Sequence, residues 1–151
     1  ALAVLTGRGR VDPRHPGLGE QAIILTSEPG AARLADRLPG SAAIVPIGDS
    51  APLDLRAAVE TLRTAGHGLI LCEGGPTVFG ALVADGLVDE LFLTISPLLA
   101  GRLPRDARPA LIEGAELLPD LNVAGRLLSL RRSSSHLFLR YALAGPEVIA
   151  T

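Results

Sequence analysis

The sequence predicts an α/β fold: a layered sandwich with a largely parallel sheet that ends in an antiparallel hairpin. Three observations predict it. Short aliphatic runs alternate with helical or Gly/Pro-punctuated stretches along most of the chain. The 151 residues are 48% hydrophobic but only 3% aromatic, so the core has to be aliphatic, as in a parallel sheet covered by helices. Near the end, two apolar arms flank Ser133-Ser134-Ser135. The length suits one domain, residues 1–151.

The elements follow in order. Residues 2–6 form an apolar run closed by Thr6-Gly7, a strand entering a loop. Residues 8–20 are polar and carry Gly, Pro and Asp, which predicts a long loop. Residues 22–26 are a second aliphatic strand. Ser27-Glu28-Pro29-Gly30 predicts a turn, and residues 31–38 a short helix ended by Pro39-Gly40. Residues 42–47 are a third strand. Asp49-Ser50 can cap the next helix, with Pro52 in its first turn. Leu55, Ala58, Val59, Leu62 and Ala65 share one face of that helix, and Gly66 closes it. Residues 68–72 predict a fourth strand, aliphatic and therefore central.

Pro76 suits the first position of another helix, whose apolar face is Val78, Phe79, Leu82 and Val83 and whose end is Gly86. Residues 89–96 alternate, with Leu91, Leu93 and Ile95 on one side. Residues 97–118 have little periodicity, and prolines 97, 104, 109 and 119 interrupt the stretch before Asp120. The hairpin arms are residues 127–131 and 137–142.

Several function classes are excluded as expectations. A net charge of −2 leaves no basic surplus for nucleic acid. No apolar run is long enough for a membrane span, and no signal-peptide pattern is present. A single cysteine, Cys72, fits a reducing compartment, so a cytoplasmic location is expected, and Cys72 itself reads as a small core residue. The chain opens on Ala1-Leu2-Ala3-Val4-Leu5, inside an apparent strand, which predicts an upstream portion. The three histidines, His15, His67 and His136, lack metal-ligand spacing. Gly7-Arg8-Gly9-Arg10 lacks the third glycine and the helix of a dinucleotide fingerprint.

The chemistry-bearing stretch is Leu69-Ile70-Leu71-Cys72-Glu73-Gly74-Gly75-Pro76-Thr77. An apolar run, two glycines and a helix start together make an anion site. The first helical turn leaves amides unpaired at the positive end of the macrodipole, and glycines let a diphosphate approach them. Thr77 can add a hydroxyl donor. Gly-Gly after a strand is also compatible with a tight turn that binds nothing. Glu73 is either a carboxylate facing a ligand or a solvated loop charge.

The longer pattern adds Gly80-Ala81-Leu82, Gly86-Leu87-Val88-Asp89-Glu90-Leu91 and Pro97-Leu98-Leu99-Ala100-Gly101. Over residues 69–101 it resembles the reductase domain of bifunctional riboflavin-biosynthesis proteins, in the dihydrofolate-reductase-like superfamily. The resemblance implies a dihydrofolate-reductase-like three-layer sandwich, of which this chain is the C-terminal two-thirds. It implies NADPH as cofactor, with Gly74, Gly75, Pro76, Thr77, Val78 and Phe79 at the diphosphate. Thr6, Gly7 and Arg8 correspond to the loop at the adenosine 2′-phosphate, and Arg10 is plausible there on charge. Glu73 corresponds to the acidic residue on the substrate. The implied reaction reduces the ribosyl group of 5-amino-6-(5-phosphoribosylamino)uracil to a ribityl group. The implied partners are that phosphorylated aminopyrimidine and a second copy in a homodimer, with the terminal hairpin as candidate contact. The family's N-terminal motifs, which supply most of the substrate pocket, do not occur here. Two alternatives stay open: a reductase of the same fold acting on a dihydrofolate-like pterin, and a catalytically silent fragment or oligomerisation module.

Overall fold

A computed structural model describes residues 1–101 and 109–148. The chain divides into two compact units, Ala1–Gly68 and Leu69–Thr151. No helix among the described residues is long and apolar enough to cross a membrane.

The first unit is a parallel sheet of β1 (Ala3–Thr6), β2 (Ile23–Thr26) and β3 (Ala43–Pro46), with β2 in the middle. Alternation along β2 sends consecutive residues to opposite faces. On one face Ile24 packs with Leu18, Ala22 and Leu34, flanked by Val4 and Ile44. On the other, Leu25 packs with Ala58 and Leu62, flanked by Leu5 and Val45. Helices α1 (Glu28–Leu34) and α2 (Leu55–Thr64) supply Leu34 and the Ala58–Leu62 pair. The unit is therefore layered helix, sheet, helix, as the aliphatic composition requires.

Both helices start where a side chain can cap them, which differs from the sequence expectation. Helix α1 begins at Glu28 because Ser27 accepts a hydrogen bond from the Gly30 amide at 3.1 Å. The expected turn at residues 27–30 is thus its first turn, and the helix ends at Leu34, short of residue 38. Helix α2 begins only at Leu55, because Asp54 accepts from the amides of Arg56 and Ala57 at 2.8 and 3.2 Å. Asp49, Ser50 and Pro52 lie before it. At the far end Gly66 has φ +92°, its amide donates to Arg63 and that of His67 to Leu62, the paired bonds of a Schellman cap.

The second unit holds α3 (Pro76–Ala84), closed the same way by Gly86 at φ +66° with Leu87 donating to Leu82. β4 (Glu90–Ile95), β6 (Gly125–Ser133) and β7 (His136–Leu143) form an antiparallel sheet with β7 central. The hairpin turns at Ser134-Ser135, and a bulge falls between Leu127 and Ser129. Across β4 and β7, Arg140 grips Glu90 through two bonds of 2.6 and 2.8 Å and lies over the Phe92 ring. β5 (Leu121–Asn122) pairs with β8 (Glu147–Val148). Within the proline-interrupted loop, Pro104 lies outside the described residues.

One expectation fails clearly. Residues 68–72 are not a strand, and none of the three sheets among the described residues includes them. Leu69 is 93% exposed and Leu71 75% exposed. A strand exists only through its ladder, and no described residue pairs with this run. Cys72, expected in the core, is exposed for the same reason.

Candidate functional site

The sequence-predicted site residues fall into two sets, one in each unit. In the second unit, Glu73, Gly74 and Gly75 are all exposed at the entrance to α3. Gly75 is the N-cap, with extended backbone and no side-chain cap. The first helical bond runs from the Phe79 amide to the Gly75 carbonyl at 3.0 Å. The amides of Thr77 and Val78 consequently have no acceptor among the described residues. This is the bare, partly positive helix start that an anion requires.

The surroundings of that turn explain its residue types. A Cβ on Gly75 would meet nothing within 4 Å, so the space over the turn is open. A Cβ on Gly74 would touch Val78 at 3.4 Å. Gly80, one turn further on, is buried and lets residues 112–115 cross the helix: its Cβ would sit 2.9 Å from the Glu113 carbonyl oxygen. The Glu113 amide in turn donates to the Pro76 carbonyl at 3.2 Å, holding the helix start from the side. Val78 and Phe79 are half-buried against the unit, and Thr77 is exposed. The Glu73 carboxylate has no hydrogen-bonding partner among the described residues.

In the first unit, Thr6, Gly7 and Arg8 leave the end of β1 and are held by side chains that sequence reasoning missed. Thr26 Oγ1 donates to the Thr6 carbonyl at 2.6 Å, and Ser27 Oγ donates to the Gly7 carbonyl at 2.7 Å. Both hydroxyls are buried, and these bonds satisfy them. Arg33 Nη1 donates to the Arg8 carbonyl, and the Arg10 amide donates to Thr6 Oγ1 at 3.1 Å. Gly9 has φ +60° and is buried against Gly30, where a Cβ would lie 2.5 Å from the Gly30 carbonyl oxygen. The loop is thus clamped onto α1. The signal available was Thr26-Ser27 at a strand end just before a Pro, a helix-start pattern.

The comparisons with known proteins fit this arrangement. The family described as the RibD C-terminal domain matches residues 1–135. The chain belongs to that family. A curated relative from Methanothermobacter thermautotrophicus, 2,5-diamino-6-ribosylamino-4(3H)-pyrimidinone 5′-phosphate reductase, is 31% identical over 147 residues, covering 94% of this chain. The chain spans 65% of that relative's length. Among solved structures, RibD of Acinetobacter baumannii superposes with a TM-score of 0.73 at 20% identity, over 94% of this chain and 37% of that one. A pyrimidine reductase-like protein of Corynebacterium diphtheriae gives 0.72 at 21% identity, over 95% and 61%. These likenesses establish the RibD fold.

Proposed function

We propose that the chain is the cofactor-holding portion of an NADPH-dependent reductase. Its substrate is read as a phosphorylated ribosylaminopyrimidine of riboflavin synthesis. The observation that carries this reading is the open Gly74-Gly75 turn leading into α3, with the Thr77 and Val78 amides unpaired. The residues fit the cofactor: glycines clear the approach, two amides and the Thr77 hydroxyl supply donors, and Pro76 presets the helix without needing an amide bond.

NADPH, when bound, would supply the hydride that, together with a proton, reduces the ribosyl group to a ribityl group. The part played by the chain is positioning. Gly74 through Phe79 would hold the diphosphate, and by the family resemblance Thr6, Gly7 and Arg8 would meet the adenosine 2′-phosphate end. Glu73, at the mouth of the turn, accepts hydrogen bonds from the amino and ring N–H groups of the pyrimidine. The relative's name points to the 2,5-diaminopyrimidinone, and the sequence resemblance to 5-amino-6-(5-phosphoribosylamino)uracil. The two rings differ at one exocyclic group, which a substrate panel separates. The expected homodimer is supported by the hairpin β6–β7, which exposes Leu127, Leu130 and Phe138. The free, exposed thiol of Cys72 suits a reducing, cytoplasmic setting.

The test is cofactor binding followed by nicotinamide fluorescence. Gly75→Asp is sterically free to fold, because its side chain enters open space. It is expected to weaken NADPH binding by about a hundredfold, by setting a carboxylate against the diphosphate. Unchanged affinity in the folded variant would refute the reading. Glu73→Gln is expected to leave NADPH binding intact and to weaken pyrimidine binding. A second reading, a silent assembly module, is favoured by the bare apolar run at residues 69–71, and absence of any NADPH binding in the unmodified chain would select it.

A further inference from the structure

In the second unit, residues 110–115 lie against the first turns of α3. The Glu113 amide donates to the Pro76 carbonyl at 3.2 Å. The Glu113 carboxylate folds back and accepts from the Ala110 amide at 2.7 Å. Gly80 admits this segment: a Cβ there would stand 2.9 Å from Ile112 Cγ2 and 3.5 Å from Ala115 Cβ. The segment is therefore fixed to the helix at Pro76 and again at Gly80, about one turn later.

Its tip meets the side chain at the α3 entrance that carries a hydroxyl. Gly114 has φ +73°, a left-handed backbone that glycine adopts without strain. A Cβ on Gly114 would come 3.3 Å from Thr77 Cγ2 and meet no other atom within 4 Å. The Thr77 methyl thus faces the bare side of Gly114. Thr77 stands in the first turn of α3, and its hydroxyl has no partner among the described residues. In a helix interior a threonine hydroxyl selects its rotamer by bonding a carbonyl three or four residues back. At Thr77 those carbonyls precede the helix, so the methyl contact makes the selection. Methyl and hydroxyl share one tetrahedral carbon, and seating the methyl on Gly114 turns the hydroxyl away from it.

We propose that Gly114 is a positioning residue for the α3 entrance, seating the Thr77 methyl so that its hydroxyl joins the free Thr77 and Val78 amides as a preset group of donors. The inference rests on the reductase reading for the identity of the ligand, the cofactor diphosphate. The gain is preorganisation: a hydroxyl already held in one rotamer loses little freedom when an anion arrives. Any side chain at residue 114 would crowd the methyl and strain the left-handed backbone.

The experiment measures NADPH affinity by nicotinamide fluorescence in variants of the 151-residue chain, with circular dichroism as the check on folding. Thr77→Ser keeps the hydroxyl and removes the methyl, and is expected to weaken binding about fivefold. Gly114→Ala is expected to weaken it about tenfold. In a Thr77→Val background, where no hydroxyl remains, Gly114→Ala is expected to cost nothing further, because its effect passes through that hydroxyl. A glycine needed only for packing would give equal losses in both backgrounds. That result overturns the proposal while the reductase reading stands. Full affinity in Thr77→Ser also overturns it, and this variant decides the matter if Gly114→Ala does not fold. Inorganic pyrophosphate, titrated by calorimetry, separates the two readings. If the chain binds pyrophosphate with the same pattern of losses but does not bind NADPH, the positioning role stands and the reductase reading falls. If it binds neither, both fall.

Discussion

Two aliphatic runs of nearly the same character meet opposite fates in this chain. The run at residues 22–26 yields β2 (Ile23–Thr26), paired on both sides, with Ile24 at 0% exposure. Residues 68–72 carry comparable side chains and pair with nothing described. The difference lies in what flanks each run. β2 has β1 and β3 to complete its ladders and helices α1 and α2 to cover its two faces. The second run leads into the α3 entrance, and no described strand lies beside it to form a ladder. Apolar composition makes a run suitable for a sheet interior, but only partners make it a strand.

This comparison can be broken by mutation. Ile24→Ala removes a side chain that is fully enclosed and should cost about 3 kcal/mol in urea unfolding. Leu71→Ala should change stability by less than about 0.5 kcal/mol, because that side chain is already 75% exposed. A large loss at Leu71 would mean that the second run is buried in the folded protein after all.

The glycines sharpen the same contrast. Gly30→Ala would place a Cβ 2.1 Å from Thr26 Oγ1, so it should destabilise by about 2 kcal/mol and loosen the 6–10 loop. Gly75, at the other candidate site, has open space, so Gly75→Asp should cut NADPH affinity with little change in stability. Thermal unfolding of the pair tests this: one glycine is required for packing, the other for access.

The smallest effect concerns the β4–β7 edge. The Arg140 hydrogen bonds hold the Glu90 carboxyl below its ordinary range, and the same bonds push the Arg140 guanidinium up. A depressed carboxyl contributes stability above its unfolded pKa and loses it as pH falls through the folded value. Any contribution of the pair should therefore fade only on acidification below the usual glutamate range. Carbon NMR of the Glu90 carboxyl should show a low titration midpoint that Arg140→Gln restores. A midpoint unmoved by that change would mean that the ion pair does not persist in solution.

Much of this was legible in residue order. The caps at Gly66 and Gly86 were readable because each C′ position needs a left-handed backbone, and glycine supplies it. The Pro76 start of α3 and the hairpin around Ser134-Ser135 were readable for similarly local reasons. The starts of α1 and α2 were harder, because several residues near each were able to cap. Geometry chose Ser27 and Asp54 by bringing their oxygens to the first free amides.

The sequence by itself determined the element types, the aliphatic three-layer character of the first unit and the glycine pattern that marks the family. These depend on periodicity and on backbone preferences within a few residues. Tertiary structure decided which apolar run joined a sheet and where the buried hydroxyls of Thr26 and Ser27 found acceptors. It also decided that Gly114 would lie against Thr77. Those outcomes depend on contacts between residues some twenty or more positions apart, such as Thr26 with Thr6 and Arg33 with Arg8, which no local pattern encodes.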